Sequence, residues 1–281
     1  VRGILGRLEE GELERTDKNG VTRRQALIAF GCDPEQFASS VYKPGSIGAY
    51  LELHIEQGPV LESLDQPVGI VTGIAGPLWL TVTLAGVAGH AGSVPMRMRR
   101  DALVGAASII GALRDIASRD PDAPTVGTVG SLKVFPDSRN IIPEKVEFTV
   151  DLRDIDLERR NRLEAELMDI IVRTAEEFGL QASVREDTNS PPRYCAEPIK
   201  ETMRRCARSM GLHPPELMSG PFHDALAMSC VCDYGMIFVR CKEGISHNPR
   251  EFAAIEDIAL GAELLFRTAA EMARTTAASK T

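Results

Sequence analysis

The sequence predicts an α/β protein in which a β-α-β-β-α-β unit is inserted into a domain built from both ends of the chain. Strand and helix patterns alternate over residues 77–187. A Pro-rich stretch, "TNSPPRYCAEP" (188–198), separates this alternation from the C-terminal part of the chain and is typical of a linker. Residues 1–72 and 190–281 are therefore expected to form one domain, and residues 73–189 the inserted one.

The first domain begins with two predicted helices and two predicted strands. Residues 1–40 carry apolar side chains at helical spacing on both sides of the polar turn "DKNG", and Thr22 is a suitable cap for the second helix. In "AYLELHIEQGPVLESL" (49–64) apolar and polar residues alternate as far as His54, and a Gly-Pro pair then ends the strand and favours a short helix. The second strand is "PVGIVTGIAG" (67–76).

The inserted unit is predicted from two periodicities. Its strands alternate apolar and polar residues: "PLWLTVTLAGVAG" (77–89), "TVGTVGSLKVF" (125–135), "KVEFTVDLRD" (145–154) and "LQASVRED" (180–187). Its two helices repeat apolar residues at helical spacing, over 99–118 and 157–179. This order is that of a ferredoxin-like unit.

The end of the chain returns to the first domain. We predict a helix over 199–211, a buried strand "YGMIFVRC" (234–241) and an amphipathic helix from about 255 to 274. Two loops, "MSGPFHDALAM" (218–228) and "KEGISHNPRE" (242–251), lie between these elements.

Composition excludes several classes of function. The chain has 281 residues, of which 43% are hydrophobic and 26% charged, as in soluble globular proteins. Its net charge of −8 argues against a nucleic-acid or anionic-membrane binder, since both need a basic surface, and no apolar run approaches a membrane span. The six cysteines show no CxxC pair. This pattern argues against a zinc-thiolate site at Cys230 and Cys232. It favours reduced thiols in a cytoplasmic protein.

The five histidines are placed unevenly. His213 belongs to a turn, whereas His54, His90, His223 and His247 stand at polar or glycine-rich junctions between elements. Taken singly, such a histidine is more often structural than functional. Four of five at element ends favour a shared chemical role.

Several segments together resemble a known family. "ELHIEQGPVLE", "AGHAGSVPM", "SRNIIP" followed by "DLRD", and "GISHNPRE" are similar to the amidases of hydantoinase/carbamoylase type. That family includes N-carbamoyl-L-amino-acid hydrolases, β-ureidopropionases and allantoate amidohydrolases, within the aminoacylase/carboxypeptidase-like group of di-metal hydrolases. The resemblance covers essentially the whole chain. It implies a catalytic α/β metallohydrolase domain, with the inserted unit serving as a lid and as the contact of a homodimer.

The resemblance implies metal ligands. His54 would bind one divalent metal ion and His247 the other, and imidazole suits zinc, manganese, cobalt or nickel. Asp224 is expected to support the site without binding metal. The family more often shows Gly-His-Asp-Ala where this chain has "FHDA", so the roles of His223 and Asp224 stay open.

The resemblance also implies substrate contacts. Gln57 would face the substrate amide, while His90 and Asn140 would bind the substrate and stabilise the oxyanion as catalytic residues. Arg153 would hold the substrate carboxylate, because a planar guanidinium can grip a carboxylate with two hydrogen bonds. A surface ion pair is the alternative interpretation for Arg153.

One departure from the family pattern is large. Members carry a His-x-Asp motif, a bridging aspartate and a Glu-Glu pair ahead of the segments present here, and Glu9-Glu10 only imitates that pair. The catalytic domain is therefore expected to be incomplete, lacking its N-terminal part. With one ligand left for each metal, this chain alone is expected to bind metal poorly or not at all and to be inactive.

The resemblance implies metal-dependent hydrolysis of the ureido amide of N-carbamoyl-L-amino acids or related ureido acids. The expected partners are that small-molecule substrate and a second copy of the chain. Three alternatives remain: an allantoate amidohydrolase, an aminoacylase- or dipeptidase-like hydrolase, and a non-catalytic dimerising fragment. The segment "HIEQGP" speaks against the second, because such relatives generally carry a carboxylate at the position of His54.

Overall fold

The computed structural model describes residues 3–278, and within them lie seven α-helices and twelve strands. The helices are α1 (Arg23–Ala29), α2 (Val60–Ser63), α3 (Ala102–Ala117), α4 (Leu157–Phe178), α5 (Glu197–Ser209), α6 (Asp224–Met228) and α7 (Ile255–Ala278). The strands are β1 (Tyr50–Ile55), β2 (Val68–Ile74), β3 (Gly76–Ala85), β4 (Gly89–His90), β5 (Val126–Thr128), β6 (Leu132–Phe135), β7 (Ile141–Ile142), β8 (Lys145–Asp154), β9 (Gln181–Asn189), β10 (Arg193–Tyr194), β11 (Glu216–Ser219) and β12 (Tyr234–Val239). The predicted mixed α/β class is confirmed.

The described chain divides into two compact units. Residues 3–74 and 195–278 form unit 1, and residues 75–194 form unit 2. None of the helices within residues 3–278 has both the length and the apolar character needed to cross a bilayer.

The sheet of unit 1 contains four of its strands in the order β1, β12, β2, β11. β1 and β12 are parallel, with Tyr50 opposite Tyr234 and His54 opposite Phe238. β12 and β2 are antiparallel, and β11 is parallel to β2. Because β1 and β12 run the same way, the loops that follow them leave from the same edge of the sheet. In α/β proteins such an edge is a favoured place for ligands.

Helices cover both faces of this sheet. On one face, Ile70 and Ile237 pack with Met203 of α5 and Leu264 of α7. On the other face, a second buried cluster joins the sheet to α2 and α6, through Leu61 and Ala225. Burying an aliphatic side chain of this size stabilises the fold by about 1.5–3 kcal/mol. The edge that carries the two loops is thus held by packing on both faces.

Unit 2 is an antiparallel sheet with two helices on one face. Its strand order is β5, β8, β3, β9, and β6 also pairs with β8. In β8, Phe148, Val150 and Leu152 point into the core against α3 and α4. The intervening positions are half-buried, including Asp151 and Arg153. The predicted separation of the two faces of this strand is therefore confirmed.

The start of the chain differs from the prediction. Of the two helices predicted in residues 1–40, the structure has only α1 among the residues it describes, together with short 3₁₀ turns. Gly6 and Gly11 adopt positive φ angles of 66° and 71°, which a continuous right-handed helix does not permit. The predicted cap of α1 is confirmed, because the Thr22 hydroxyl and the Gln25 amide form a reciprocal capping box.

Candidate active site

His54 lies one residue before the end of β1, and its ring has a defined orientation. Its Nδ1 is 2.9 Å from the carbonyl oxygen of Ile55. Because a carbonyl oxygen only accepts, Nδ1 carries the proton of the neutral ring. Nε2 is left with its lone pair, which is the atom an imidazole offers to a metal when Nδ1 donates to a carbonyl. His54 therefore fits the role of a metal ligand.

The two glutamates that flank His54 hold the starts of two helices. The Glu56 carboxylate accepts hydrogen bonds from two backbone N–H groups in the first turn of α2, each at 2.8 Å. Oε2 of Glu52 accepts one from the backbone N–H of Ala225 in α6, also at 2.8 Å. Burial raises the pKa of both carboxyls, and these hydrogen bonds oppose that effect. Glu52 and Glu56 thus shape the edge of the sheet around His54.

A hydrogen-bonded bridge joins the loop after β1 to the loop after β12. Nε2 of Gln57 donates to Oγ of Ser246 at 2.6 Å. The Ser246 hydroxyl donates to Oε2 of Glu251 at 3.0 Å, and the backbone N–H of His247 donates to the same oxygen at 3.2 Å. The structure therefore brings the loop that carries His247 against the turn that follows His54.

Both loops hold a residue in the left-handed backbone region. Gln57 has φ = 57° and His247 has φ = 55°. A non-glycine residue in this region costs on the order of 1–3 kcal/mol, and such residues cluster at functional sites. The bonds of Ser246 and Glu251 hold this geometry. Ser246 and Glu251 belong to the segment "GISHNPRE", yet sequence reasoning assigned them no role.

Gln57 was predicted to face a substrate amide. Its own amide nitrogen donates to Ser246, so its contribution to the site includes fixing the neighbouring loop. The substrate contact of Gln57 stays a prediction.

His223, whose role the sequence left open, is part of the same site. Its side chain is 1% exposed, and its ring lies edge-on to that of His54, with the centroids 4.5 Å apart. Its Nε2 is 2.6 Å from Oγ of Ser219. Its Nδ1 lies 4.0 Å from Oε1 of Glu52 and is buried without a hydrogen-bond partner in the described part of the chain. Burial, assisted by the neighbouring His54, lowers the pKa of His223 to about 4, so this ring is neutral at neutral pH.

The buried imidazole predicts a dependence of stability on pH. The unfolded chain takes up a proton at His223 near pH 6.5, but the folded chain resists it until about pH 4. Stability is therefore present above pH 6.5 and is lost as the pH falls towards 4. At 1.36 kcal/mol per pKa unit, the loss is about 3 kcal/mol.

The matched measurement compares the metal-free chain with the variant His223→Leu. We expect the free energy of unfolding in urea to fall about 3 kcal/mol further for the wild type than for the variant between pH 7 and pH 4. Parallel pH curves for the two proteins would contradict the buried, neutral state of His223.

Unit 1 contains part of a donor set for a metal ion. Among residues 3–278, no group of three or more His, Cys, Asp or Glu side chains is arranged to hold a metal ion. Catalytic zinc sites commonly use three protein ligands. His54 thus fits as one ligand, and the His247 loop lies beside the turn that follows it.

Unit 2 brings His90 and Asn140 together. β4 and β7 pair so that His90 lies opposite Ile141. The backbone N–H of Ala91 donates to the carbonyl oxygen of Asn140 at 2.9 Å. This short two-stranded ladder places the segments "GHAG" (89–92) and "SRNIIP" (138–143) side by side.

The side chains of these two residues are oriented as donors. Nδ1 of His90 accepts from the backbone N–H of Gly92 at 3.2 Å, so the proton of the neutral ring lies on Nε2. Oδ1 of Asn140 accepts from the hydroxyl of Ser138 at 2.9 Å, which leaves the Nδ2 group as the donor of this amide. Hydrogen-bond donors of this kind can stabilise an oxyanion when both reach it.

Arg153 has different neighbours. Its Nε and Nη2 donate to the two carboxylate oxygens of Asp151 at 2.8 and 2.7 Å. Its Cζ lies 5.9 Å from the centroid of the Trp79 ring, within the range of a cation–π contact. A substrate carboxylate would have to share this guanidinium with Asp151. The predicted role of Arg153 therefore stays a prediction, and the surface ion pair that was its alternative is present.

The sequence of this chain is similar to the sequences of known proteins. Residues 9–271 match the model of peptidase family M20/M25/M40. An N-carbamoyl-L-amino-acid amidohydrolase of Pseudomonas sp. (strain NS671) is 44% identical over 269 residues, which are 95% of this chain and 65% of that protein. An allantoate deiminase of Arabidopsis thaliana is 35% identical over 283 residues, covering 91% of this chain and 54% of that protein.

The solved structures include a similar fold. The crystal structure of an amidase of the hydantoinase/carbamoylase family from Burkholderia multivorans matches with a TM-score of 0.85 and 33% identity. The match covers 95% of this chain and 64% of that one. The chain thus spans less than two thirds of the length of these relatives.

Proposed function

The chain belongs to peptidase family M20/M25/M40, and from this premise we propose that its complete gene product hydrolyses the ureido amide of N-carbamoyl-L-amino acids. The similarity to an N-carbamoyl-L-amino-acid amidohydrolase and to a hydantoinase/carbamoylase amidase confirms the resemblance found in the sequence motifs. The products would be the free amino acid, ammonia and carbon dioxide. The observation that carries the proposal is the bridge from Gln57 to Ser246, which joins the loops of His54 and His247.

In this proposal His54 and His247 hold divalent metal ions, with zinc, manganese, cobalt or nickel as candidates. Bound metal would polarise the substrate carbonyl and lower the pKa of water. The chain supplies the orientation of the ligands: the Ile55 carbonyl directs Nε2 of His54, and Glu251 holds the backbone of His247.

The substrate contacts are assigned to unit 2, which serves as the lid. Nε2 of His90 and Nδ2 of Asn140 donate hydrogen bonds to the oxygen that gains charge, and Arg153 binds the carboxylate. In the free protein Asp151 keeps the guanidinium of Arg153 in place. Gln57 contacts the substrate amide while its own Nε2 donates to Ser246. We also propose a cytoplasmic location for the protein, as expected from the sequence.

Allantoate is the second candidate substrate. It is supported by the 35% identity to the allantoate deiminase of Arabidopsis thaliana. Allantoate also carries a ureido group and a carboxylate, so the contacts assigned to Asn140 and Arg153 serve either molecule.

The test is ammonia release by the complete gene product, supplied in turn with zinc, manganese, cobalt and nickel. N-carbamoyl-L-amino acids, allantoate and N-acetyl-L-amino acids are assayed side by side, the last by release of acetate. We expect the carbamoyl amino acids to be the best substrates and chelation to stop the reaction. Preference for allantoate would favour the second candidate, and preference for acetylated substrates an aminoacylase. Turnover of none of them would leave a non-catalytic dimerising protein.

We also propose that the 281-residue chain alone is much less active than the complete gene product. Its support is that residues 3–278 present no group of three metal-ligating side chains. Equal activity of this chain and the complete gene product would overturn that part of the proposal and leave the hydrolase standing.

A homodimer through unit 2 belongs to the same proposal. β9 is the outer strand of its sheet and is largely exposed along Gln181–Asn189. Beside it, α4 exposes Met168 and Val172 at 36% and 53%. An exposed edge strand next to apolar side chains favours pairing with a second copy.

The dimer is tested by light scattering at micromolar concentration. We expect the wild-type chain to have twice the 30.5 kDa mass of one copy and Val172→Glu to have the mass of a monomer. Val104→Glu is the matched control, because Val104 lies on the other helix of unit 2 and is 42% exposed. A monomeric wild type, or loss of the dimer in Val104→Glu alone, would contradict this interface.

A further inference from the structure

His223 is an unusual residue for the place it occupies. Its side chain is 1% exposed and its ring contacts Phe238, with the centroids 5.9 Å apart. Its Nδ1 is nevertheless buried without a hydrogen-bond partner in the described residues. An apolar side chain of similar volume would fill this space without a buried unpartnered nitrogen, and an unsatisfied buried group calls for a reason other than packing.

The ring of His223 is itself anchored. Ser219 is fully buried, and its Oγ lies 2.6 Å from Nε2 of His223. The same hydroxyl lies 3.1 Å from the carbonyl oxygen of Pro221. The anchor therefore closes the short turn between β11 and α6. The backbone N–H of Ala225, two residues beyond His223, is bonded to Glu52 of β1.

We propose that His223 is a positioning residue for His54: its ring, anchored by Ser219, sets the direction in which Nε2 of His54 points. Two contacts then orient the His54 ring. The Ile55 carbonyl holds Nδ1, and His223 packs against the ring at 69° between the planes. With only one of these two contacts, the ring could still rotate about that contact. His223 acts through His54 and needs no contact with the substrate.

This inference rests on the proposed function in one respect only, which is that His54 is taken to bind metal. Residues that orient a metal-binding histidine typically change metal affinity by about 10- to 100-fold when they are replaced.

The experiment uses two variants of the 281-residue chain, Ser219→Ala and His223→Leu, and a matched control, Thr268→Val. Thr268 is also fully buried in unit 1, and its hydroxyl donates to a helix carbonyl, that of Leu264, at 2.8 Å. The first readout is the ¹⁵N spectrum of the histidine side chains in the metal-free protein, which reports the nitrogen that carries the proton. The second readout is the apparent Kd for zinc, measured by calorimetry on the complete gene product carrying the same substitutions.

We expect the His54 ring of the wild type to be protonated on Nδ1. In both variants the protonation should shift towards a mixture of the two nitrogens, and the zinc Kd should rise by about 10-fold or more. Thr268→Val should lose stability while leaving both readouts unchanged. Ser219→Ala decides the matter if His223→Leu does not fold, because it removes only a hydroxyl. Unchanged His54 signals in Ser219→Ala would overturn the proposal.

The outcome is separable from that of the proposed function, because the spectrum is recorded without metal or substrate. A gene product inactive on every ureido acid, but with a His54 ring that responds to both substitutions, would overturn the hydrolase and support the positioning. An active hydrolase whose His54 ignores both substitutions would overturn the positioning alone.

Discussion

Replacing His54 by glutamine is expected to lower the kcat of the complete gene product on its best ureido substrate by more than about 100-fold. Replacing a residue that only orients a metal ligand already lowers metal affinity or activity by about 10- to 100-fold. The reason is local. His54 is the side chain whose Nε2 is made available by the bond between Nδ1 and the Ile55 carbonyl. Glutamine keeps a polar side chain of similar length but removes the ring nitrogen that is proposed to bind metal.

The matched control is His213→Gln, because His213 is an exposed histidine of the same unit. We expect it to keep wild-type kcat and wild-type zinc content. Full activity of His54→Gln, or an equal loss in both variants, would show that His54 has no special part in catalysis.

Replacing Arg153 by lysine is expected to lower kcat/KM by about 10- to 150-fold, which corresponds to the 1.5–3 kcal/mol of one charge-assisted hydrogen bond. Lysine keeps the charge but cannot make the two-bond fork that Arg153 shows with Asp151. The loss should be smaller for a substrate amide that lacks the carboxylate.

Arg185 provides the control within the same sheet. It pairs with Asp187 two residues along the chain, as Arg153 pairs with Asp151, but its side chain is 71% exposed against 19% for Arg153. Arg185→Lys should keep wild-type kcat/KM. An unchanged kcat/KM in Arg153→Lys as well would make Arg153 the surface ion pair that was its alternative interpretation.

Regular elements with strong periodicity could be predicted from the sequence. Helices predicted over 157–179 and from 255 correspond to α4, Leu157–Phe178, and α7, which begins at Ile255. The alternation in "KVEFTVDLRD" also assigned Arg153 to the face opposite Leu152. These signals are local, because each depends on burial repeated along a single element.

The start of the chain was predicted wrongly for a physical reason. The apolar spacing in residues 1–40 is compatible with a helix, but two glycines with positive φ break it. Backbone preference overrode the hydrophobic pattern there. The strand predicted over 125–135 likewise divides into β5 and β6.

The contacts that define the candidate site could not be predicted in this way. Gln57 and Ser246 are 189 positions apart, and they meet because β1 lies beside β12 in the sheet. No periodicity in the sequence specifies that order of strands. The contact of His223 with His54 depends on the same order. The histidines could be singled out from their positions at element ends, but their partners required the fold.

Anomalous diffraction at the zinc absorption edge, from crystals of the complete gene product, locates the metal ions relative to the two histidines. We expect two ions about 3.5–4 Å apart. One should lie about 2.0–2.1 Å from Nε2 of His54, and the other at that distance from a ring nitrogen of His247. A zinc site that includes neither histidine would contradict the proposed metal site. So would a separation of His54 and His247 beyond roughly 12 Å, because two metals about 3.5–4 Å apart could not bridge it.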